Sequence, residues 1–399
     1  MDPTKSAPNL PHAAAWLLIA ILATLACSGE RSVDEQRLDL AMDDSGEIVV
    51  AAVWPWKAHA DILYREGLEL ALEEVNRQGG PRGRPLRLRY EDDDGSVNQG
   101  RLVAQRLAGD PEVMAVIGHL QSFVTVPAAA IYDLAGLVLL APTATSADLT
   151  SRSYQRVFRT TFTDVAVGRQ MADYGISQGY QRMAIYYIRN DYGRDLANAF
   201  EERLAGLGHS VAARDSYDWD DEIRPESFKP IFDRWRQLEL DAIFLAGEVP
   251  SAGRLIAEFR RGGIDIPLFG GDALFSSALL SAAGTGANGT VVPAIFHPED
   301  PRPEVQSFVR RFEEAYDALP DAGSALGYDA LRLLAHAMDQ APSLSSEDLA
   351  KTLHTIDSWQ GVTGGITFDA KGDLKSVRLL KVIVRDGAFH YLPEEPAGG

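Results

Sequence analysis

One cysteine, Cys27, stands in 399 residues, so no intrachain disulfide can stabilise whatever folds here. Positive charge is also short: 38 Lys and Arg face 57 Asp and Glu, a formal net charge of −19. Binding phosphates needs clustered Lys and Arg. Nucleic acid and anionic membrane surfaces are therefore poor partners for this chain, whereas a small ligand responds only to local charge. Catalytic signatures are missing too, with no GxSxG elbow, HExxH pair or Walker lysine, and the eight His are scattered. Gly284–Gly289 spells GxGxxG, but a helical stretch (Ser277–Ala282) precedes it and a strand (Thr290–Ile295) follows, the reverse of the order a dinucleotide site requires. The acidic run Glu91–Asp94 lacks the DxDxDG spacing and the bidentate Glu of a calcium loop, and reads as a solvated strand-end cluster. Neither a cofactor nor a metal is expected.

The apolar run Ala13–Ala26 has 14 residues, short of the roughly 20 that span a bilayer and suited to a signal-peptide core. Thr24-Leu25-Ala26-Cys27 follows and resembles a bacterial lipobox, in which the cysteine is lipidated and becomes the new N-terminus. Residues 1–27 are thus expected to be a lipoprotein signal peptide. Residues 28–46, polar and acidic, are expected to be a flexible tether.

From Glu47 onward, apolar runs of strand length alternate with helix-period stretches. Glu47–Val53, Leu86–Tyr90, Val113–Ile117 and Leu137–Leu140 read as strands of one series. Met183–Ile188, Val211–Tyr217, Ala242–Ala246 and Ile266–Phe269 form a second. Such alternation implies α/β architecture: two doubly wound parallel-sheet lobes with right-handed crossovers. The expected division gives lobe 1 residues 47–160 and 297–361, and lobe 2 residues 164–294 and 376–393. The hinge crossovers fall at 154–163 (taken as a hinge strand), 294–298 and 361–376.

The most informative stretch is Val113–Thr150. Two strands there each end in hydroxyl-bearing loops, on the side of the sheet where ligands of open α/β folds sit, and Ser122 is placed to cap the intervening helix. Helix N-terminal N–H groups with Ser and Thr hydroxyls suit a carboxylate. GHLxSxxTxPAAxIY at 118–132, followed by APTATSxxLT at 141–150, resembles the type I periplasmic solute-binding proteins of the leucine/isoleucine/valine-binding class. The resemblance runs from about Glu47 to the C-terminus.

That resemblance implies a Venus-flytrap protein whose lobes close on a small ligand. It places Ser122 and Thr145 as hydroxyl contacts to a ligand carboxylate, and Thr143 and Ala144 at backbone-contact positions. Tyr192, in Asn190-Asp191-Tyr192-Gly193, falls on the lobe-2 face of the cleft. Asp272, in Gly270-Gly271-Asp272, becomes the partner of a ligand amine. Tyr328 borders the side-chain pocket, and His119 is a structural strand-end residue. Two departures bear on the ligand: Glu248 stands where branched-chain binders have Tyr, and the Trp54–Trp56 loop offers Trp54 as a pocket wall. The implied role is an extracytoplasmic, lipid-anchored, monomeric binding protein of an ABC importer, partnered by a permease and specific for an amino acid or related small carboxylate. A sensory protein of the same fold reporting to a separate receptor is the alternative, and an enzyme is not expected.

Overall fold

The first strand, β1 (Ile48–Trp54), is buried along its whole length, as IVVAAVW must be when helices cover both faces of a parallel sheet. It lies inside a sheet ordered β2-β1-β3-β4-β5 in which every pair is parallel. The partners are β2 (Leu86–Asp92), β3 (Val113–Gly118), β4 (Val138–Ala141) and β5 (Val157–Arg159). The computed structural model describes residues 31–43, 45–218 and 225–393. Among them, α1 (Val33–Met42), α2 (Tyr64–Arg77), α3 (Val97–Ala108) and α4 (Ser122–Leu134) belong to this first lobe. So do α10 (Pro303–Tyr316), α11 (Ala322–Gln340) and α12 (Ser346–Thr355), which return to it late in the chain.

The second lobe repeats the plan. Strands β6 (Met183–Ile188), β7 (Ala213–Tyr217), β8 (Ala242–Ala246), β9 (Leu268–Gly270) and β10 (Val291–Ala294) alternate with α5 (Asp164–Ser177), α6 (Asp191–Gly206), α7 (Pro225–Gln237), α8 (Ser251–Arg261) and α9 (Ser277–Ala283). A small hairpin, β11 (Trp359–Gln360) with β12 (Gly365–Ile366), precedes β13 (Leu380–Arg385) and β14 (Ala388–Leu392). The sheet order is β14-β13-β10-β9-β8-β6-β7, with β13 and β14 antiparallel. Strand order therefore reverses between β1 and β3 in one sheet and between β6 and β8 in the other. Crevices at such switch points, outside the carboxyl ends of the strands, are where open α/β sheets hold ligands.

Helices α2 and α11 cross closely because glycine stands at the contact: a Cβ on Gly67 would lie 2.0 Å from the Ser324 carbonyl oxygen. Tyr328 sits in this helical layer. Its ring is fully buried, its hydroxyl donates to Glu74 at 2.7 Å, and Arg311 donates to it at 2.8 Å.

Three expectations are corrected. Part of the supposed tether, Val33–Met42, is a helix with a Ser32/Glu35 capping box. Its Arg37 is 6% exposed and donates to the carbonyls of Val113, Ala135, Ala108 and Asp110 at 2.9–3.1 Å; residues 28–30 and Asp44 of the tether lie outside the described residues, as do the expected signal peptide and Cys27. Within the segment taken as a hinge strand, β5 is the edge strand of the first sheet, paired with β4, because Val157 and Phe158 are buried in lobe 1. The acidic run is not wholly solvated either. Asp93 is fully buried, and its carboxylate accepts from His119 Nδ1 at 2.6 Å. The far ring nitrogen, Nε2, lies 3.2 Å from the Tyr132 hydroxyl. A buried carboxylate persists only with such a partner.

Candidate functional site

Strand ends of both sheets converge where the lobes meet. In lobe 1, β3 ends at Gly118 and α4 begins at Ser122, with Gln121 in the cap position. Ser122 is thus the first helical residue rather than the cap expected from sequence. Its Oγ accepts instead from the Thr145 and Ser146 amides at 3.1 and 3.2 Å. A hydroxyl already accepting two N–H groups has only its own proton left to give, and gives it best to an anion. The Ser122 and Phe123 amides come before the first helical acceptor is used, whereas the Val124 and Thr125 amides donate to the Gln121 carbonyl at 3.0 and 2.9 Å.

The loop after β4 is held from behind. Thr143 Oγ1 donates to the His119 and Leu120 carbonyls, both at 2.9 Å, so its hydroxyl is committed to structure. Arg159, fully buried, donates to the Ala144 carbonyl at 2.7 Å, to Asp373 Oδ1 at 2.7 Å and to Thr150 Oγ1 at 3.2 Å. Thr150 in turn donates to Asp373 Oδ2 at 2.7 Å. Trp54, the proposed wall, is 1% exposed and stacks on Tyr64 with centroids 3.9 Å apart. Its indole face is spent on the lobe-1 core.

Lobe 2 brings carboxylates. Asp272 follows β9, and the Tyr192 hydroxyl donates to its Oδ1 at 3.1 Å while accepting from the Ala273 amide at 3.3 Å. Gly271 keeps this arrangement open, since a Cβ there would meet the Tyr192 hydroxyl at 2.4 Å. Asn190 caps α6 by accepting from the Gly193 amide, and its Nδ2 donates to Glu248 Oε2 at 2.9 Å. Of the residues expected at the site, Ser122 and Thr145 are thereby brought together, as are Tyr192, Asp272 and Glu248. Tyr328 joins none of them, because its hydroxyl is taken up by Glu74 and Arg311 within the helical layer.

The two halves meet at Asp164, a residue not among those expected at the site, which opens α5 directly after its Thr163 cap. Its amide donates to the Thr145 carbonyl at 3.3 Å. It is 7% exposed, and Oδ1 is buried without a partner. The available signal was its position directly after a run crossing between the lobes. Burial pushes its carboxyl up to about 7, with the Asp272 charge adding, against a Thr145 hydrogen bond and the Arg159 charge. Burial likewise lifts Asp272 to about 6, with Glu248 adding and the Tyr192 hydroxyl opposing. Glu248 is raised by burial, and the Asn190 hydrogen bond opposes the rise.

These shifts fix a pH dependence. A carboxyl raised above its unfolded value of 3.8 contributes stability that is full below about pH 4 and is lost as pH rises through 6 to 7. The ligand-free protein should therefore lose melting temperature between pH 5 and 8 more steeply than Asp164→Asn does. An amine ligand, which needs the charged carboxylates, should bind more tightly over the same rise. Parallel scanning-fluorimetry series for wild type and variant check this, and identical pH slopes would refute it.

Comparison with known proteins agrees with the geometry. The periplasmic binding protein family matches residues 57–377. A Leu/Ile/Val-binding protein homolog 2 from Brucella abortus (strain 2308) is 30% identical over 315 residues, 77% of this chain and 82% of that protein. The Leu/Ile/Val-binding protein of Escherichia coli (strain K12) is 29% identical over 344 residues, 84% of this chain and 89% of that one. An ABC transporter substrate-binding protein from Desulfitobacterium hafniense, solved in complex with Leu, superimposes with a TM-score of 0.80 at 37% identity, covering 87% of this chain and all of the other. These relatives are solute-binding proteins, not enzymes. On the extent of that match and the two-lobed architecture alike, the chain belongs to the periplasmic binding protein family.

Proposed function

We propose that this protein is the extracytoplasmic solute-binding component of an ABC importer and captures an amino acid or related small carboxylate as its lobes close. One observation carries the reading: neutral donors at Ser122 and the start of α4 stand on one wall, carboxylates at Asp272 and Asp164 on the other, and Thr145 joins them. A zwitterion needs that polarity. Its carboxylate takes the Ser122 proton and helix amides, and its ammonium takes Asp272 and Asp164. Closure removes water from both ends and biases a hinge equilibrium that exists without ligand. The Leu-bound relative supports an amino-acid ligand. Isothermal titration calorimetry against the proteinogenic amino acids tests it. Saturable heat with at least one is expected, and no heat with any amino acid, amide or small carboxylate would overturn it.

Export and lipid anchoring at Cys27 complete the proposal, with a permease as the membrane partner. Two acyl-bearing groups on one cysteine meet the requirement for stable attachment. Labelling with radioactive palmitate should mark the wild type and not Cys27→Ala; equal labelling would discard the anchor.

A further inference from the structure

The second switch point holds more negative charge than a neutral amino acid uses. Asp272, Glu248 and Asn190 follow β9, β8 and β6, three adjacent strands, so they stand in a row across the lobe-2 wall. The side chains that donate to the Asp272 and Glu248 carboxylates, Tyr192 and Asn190, are both uncharged. Arg159, whose charge reaches Asp164, already spends its donors on Asp373, Thr150 and the Ala144 carbonyl. Asp164 Oδ1 is buried and unpartnered, and the Asp272 charge bears on it, so the wall is built for donors the protein does not supply. Lobe 1 meets a ligand carboxylate with neutral hydroxyl and amide donors only. An uncharged side chain would leave Glu248 enclosed without a counter-charge when the lobes close, an arrangement that opposes binding.

Glu248 is also aimed. Asn190 Oδ1 is fixed by capping α6, which forces Nδ2 toward Glu248 Oε2 and leaves Oε1 for another donor. Adjacent strands lie roughly 5 Å apart, a separation that a side chain of three or four carbons bridges.

Resting on the amino-acid reading above, we propose that the ligand is a basic amino acid: Asp272 and Asp164 receive its α-ammonium, and Glu248, steered by Asn190, receives a second cationic group on its side chain. Glu248 is then the specificity-determining residue.

The test is calorimetry of the full-length protein with L-lysine, L-ornithine, L-arginine, L-citrulline (the neutral isostere of arginine) and L-leucine, repeated on Glu248→Gln. At least one cationic amino acid should bind about tenfold or more tightly than citrulline and leucine, a difference of one decade in Kd. Glu248→Gln should abolish that preference by weakening the cationic ligands about tenfold or more, while citrulline and leucine, no longer enclosed with an unpaired carboxylate, bind at least as tightly as to wild type. Leucine or citrulline binding as tightly as every cationic ligand would overturn this proposal and leave the amino-acid reading standing. So would a cation preference that survives Glu248→Gln. No heat with any of the five, nor with the remaining amino acids, would overturn both.

Discussion

Asp272→Ala is expected to weaken an amino-acid ligand by about 30-fold to several-thousand-fold, the equivalent of roughly 2–5 kcal/mol lost when one partner of an enclosed charge pair is removed. The carboxylate is held ready for that partner: the Tyr192 hydroxyl fixes Oδ1, and Asp164 and Glu248 crowd it with like charge. The same crowding makes a second observable move the other way. Removing a carboxyl that burial and neighbouring charge have driven up to about 6 relieves the ligand-free protein, so its melting temperature at pH 8 should hold or rise. Affinity lost with stability kept marks a functional residue rather than a structural one. An unchanged dissociation constant would remove Asp272 from the site.

Arg159→Met should do the reverse and cost stability first. Arg159 is fully buried, and its donors tie β5 to the loop after β4 and to Asp373. Breaking a fully buried pair by deleting one member costs about 3–5 kcal/mol, an upper bound here because the Asp373 carboxylate is 21% exposed and keeps its Thr150 donor. For a domain of 150–250 residues that bound is roughly 6–20 °C in Tm. Ligand affinity should fall with it, since the Ala144 carbonyl anchors the loop that presents Thr145 to Ser122. Adding Asp373→Leu to Arg159→Met should recover part of the lost stability by removing the stranded charge. A single variant that melts with the wild type would show that the loop is held by other means.

The parts legible in sequence were those whose reasons are local. MAIYYI and AIFLA are short apolar runs between breakers, and they are strands at the bounds expected, 183–188 and 242–246. Ser122 and Thr145 stood out as hydroxyls after buried strands, and the structure joins them through one Oγ. The illegible parts depend on partners distant in the chain. Asp93 looked like one acid among several, and its burial is decided by His119, 26 residues on. Tyr328 carried an aromatic's promise of a pocket, but Glu74 and Arg311 claim its hydroxyl. Helix α1 gave little apolar signal because Leu38 and Met42 are 50% and 63% exposed. It is held by Arg37 gripping carbonyls 71 to 98 residues away. The Ser32-x-x-Glu35 box was the one readable sign of it.

That grip fixes where the chain enters the fold. Arg37 binds the Val113 carbonyl at the start of β3, and the six residues of β3 then run roughly 20 Å to the Gly118 end, where ligand contacts begin. A load applied through α1 is therefore delivered to the pole of lobe 1 remote from the cleft and spread over four backbone carbonyls. Coupled to a solid support or a reporter through this helix, the protein would keep its mouth outward and its hinge unloaded, the mounting a reagentless optical sensor requires.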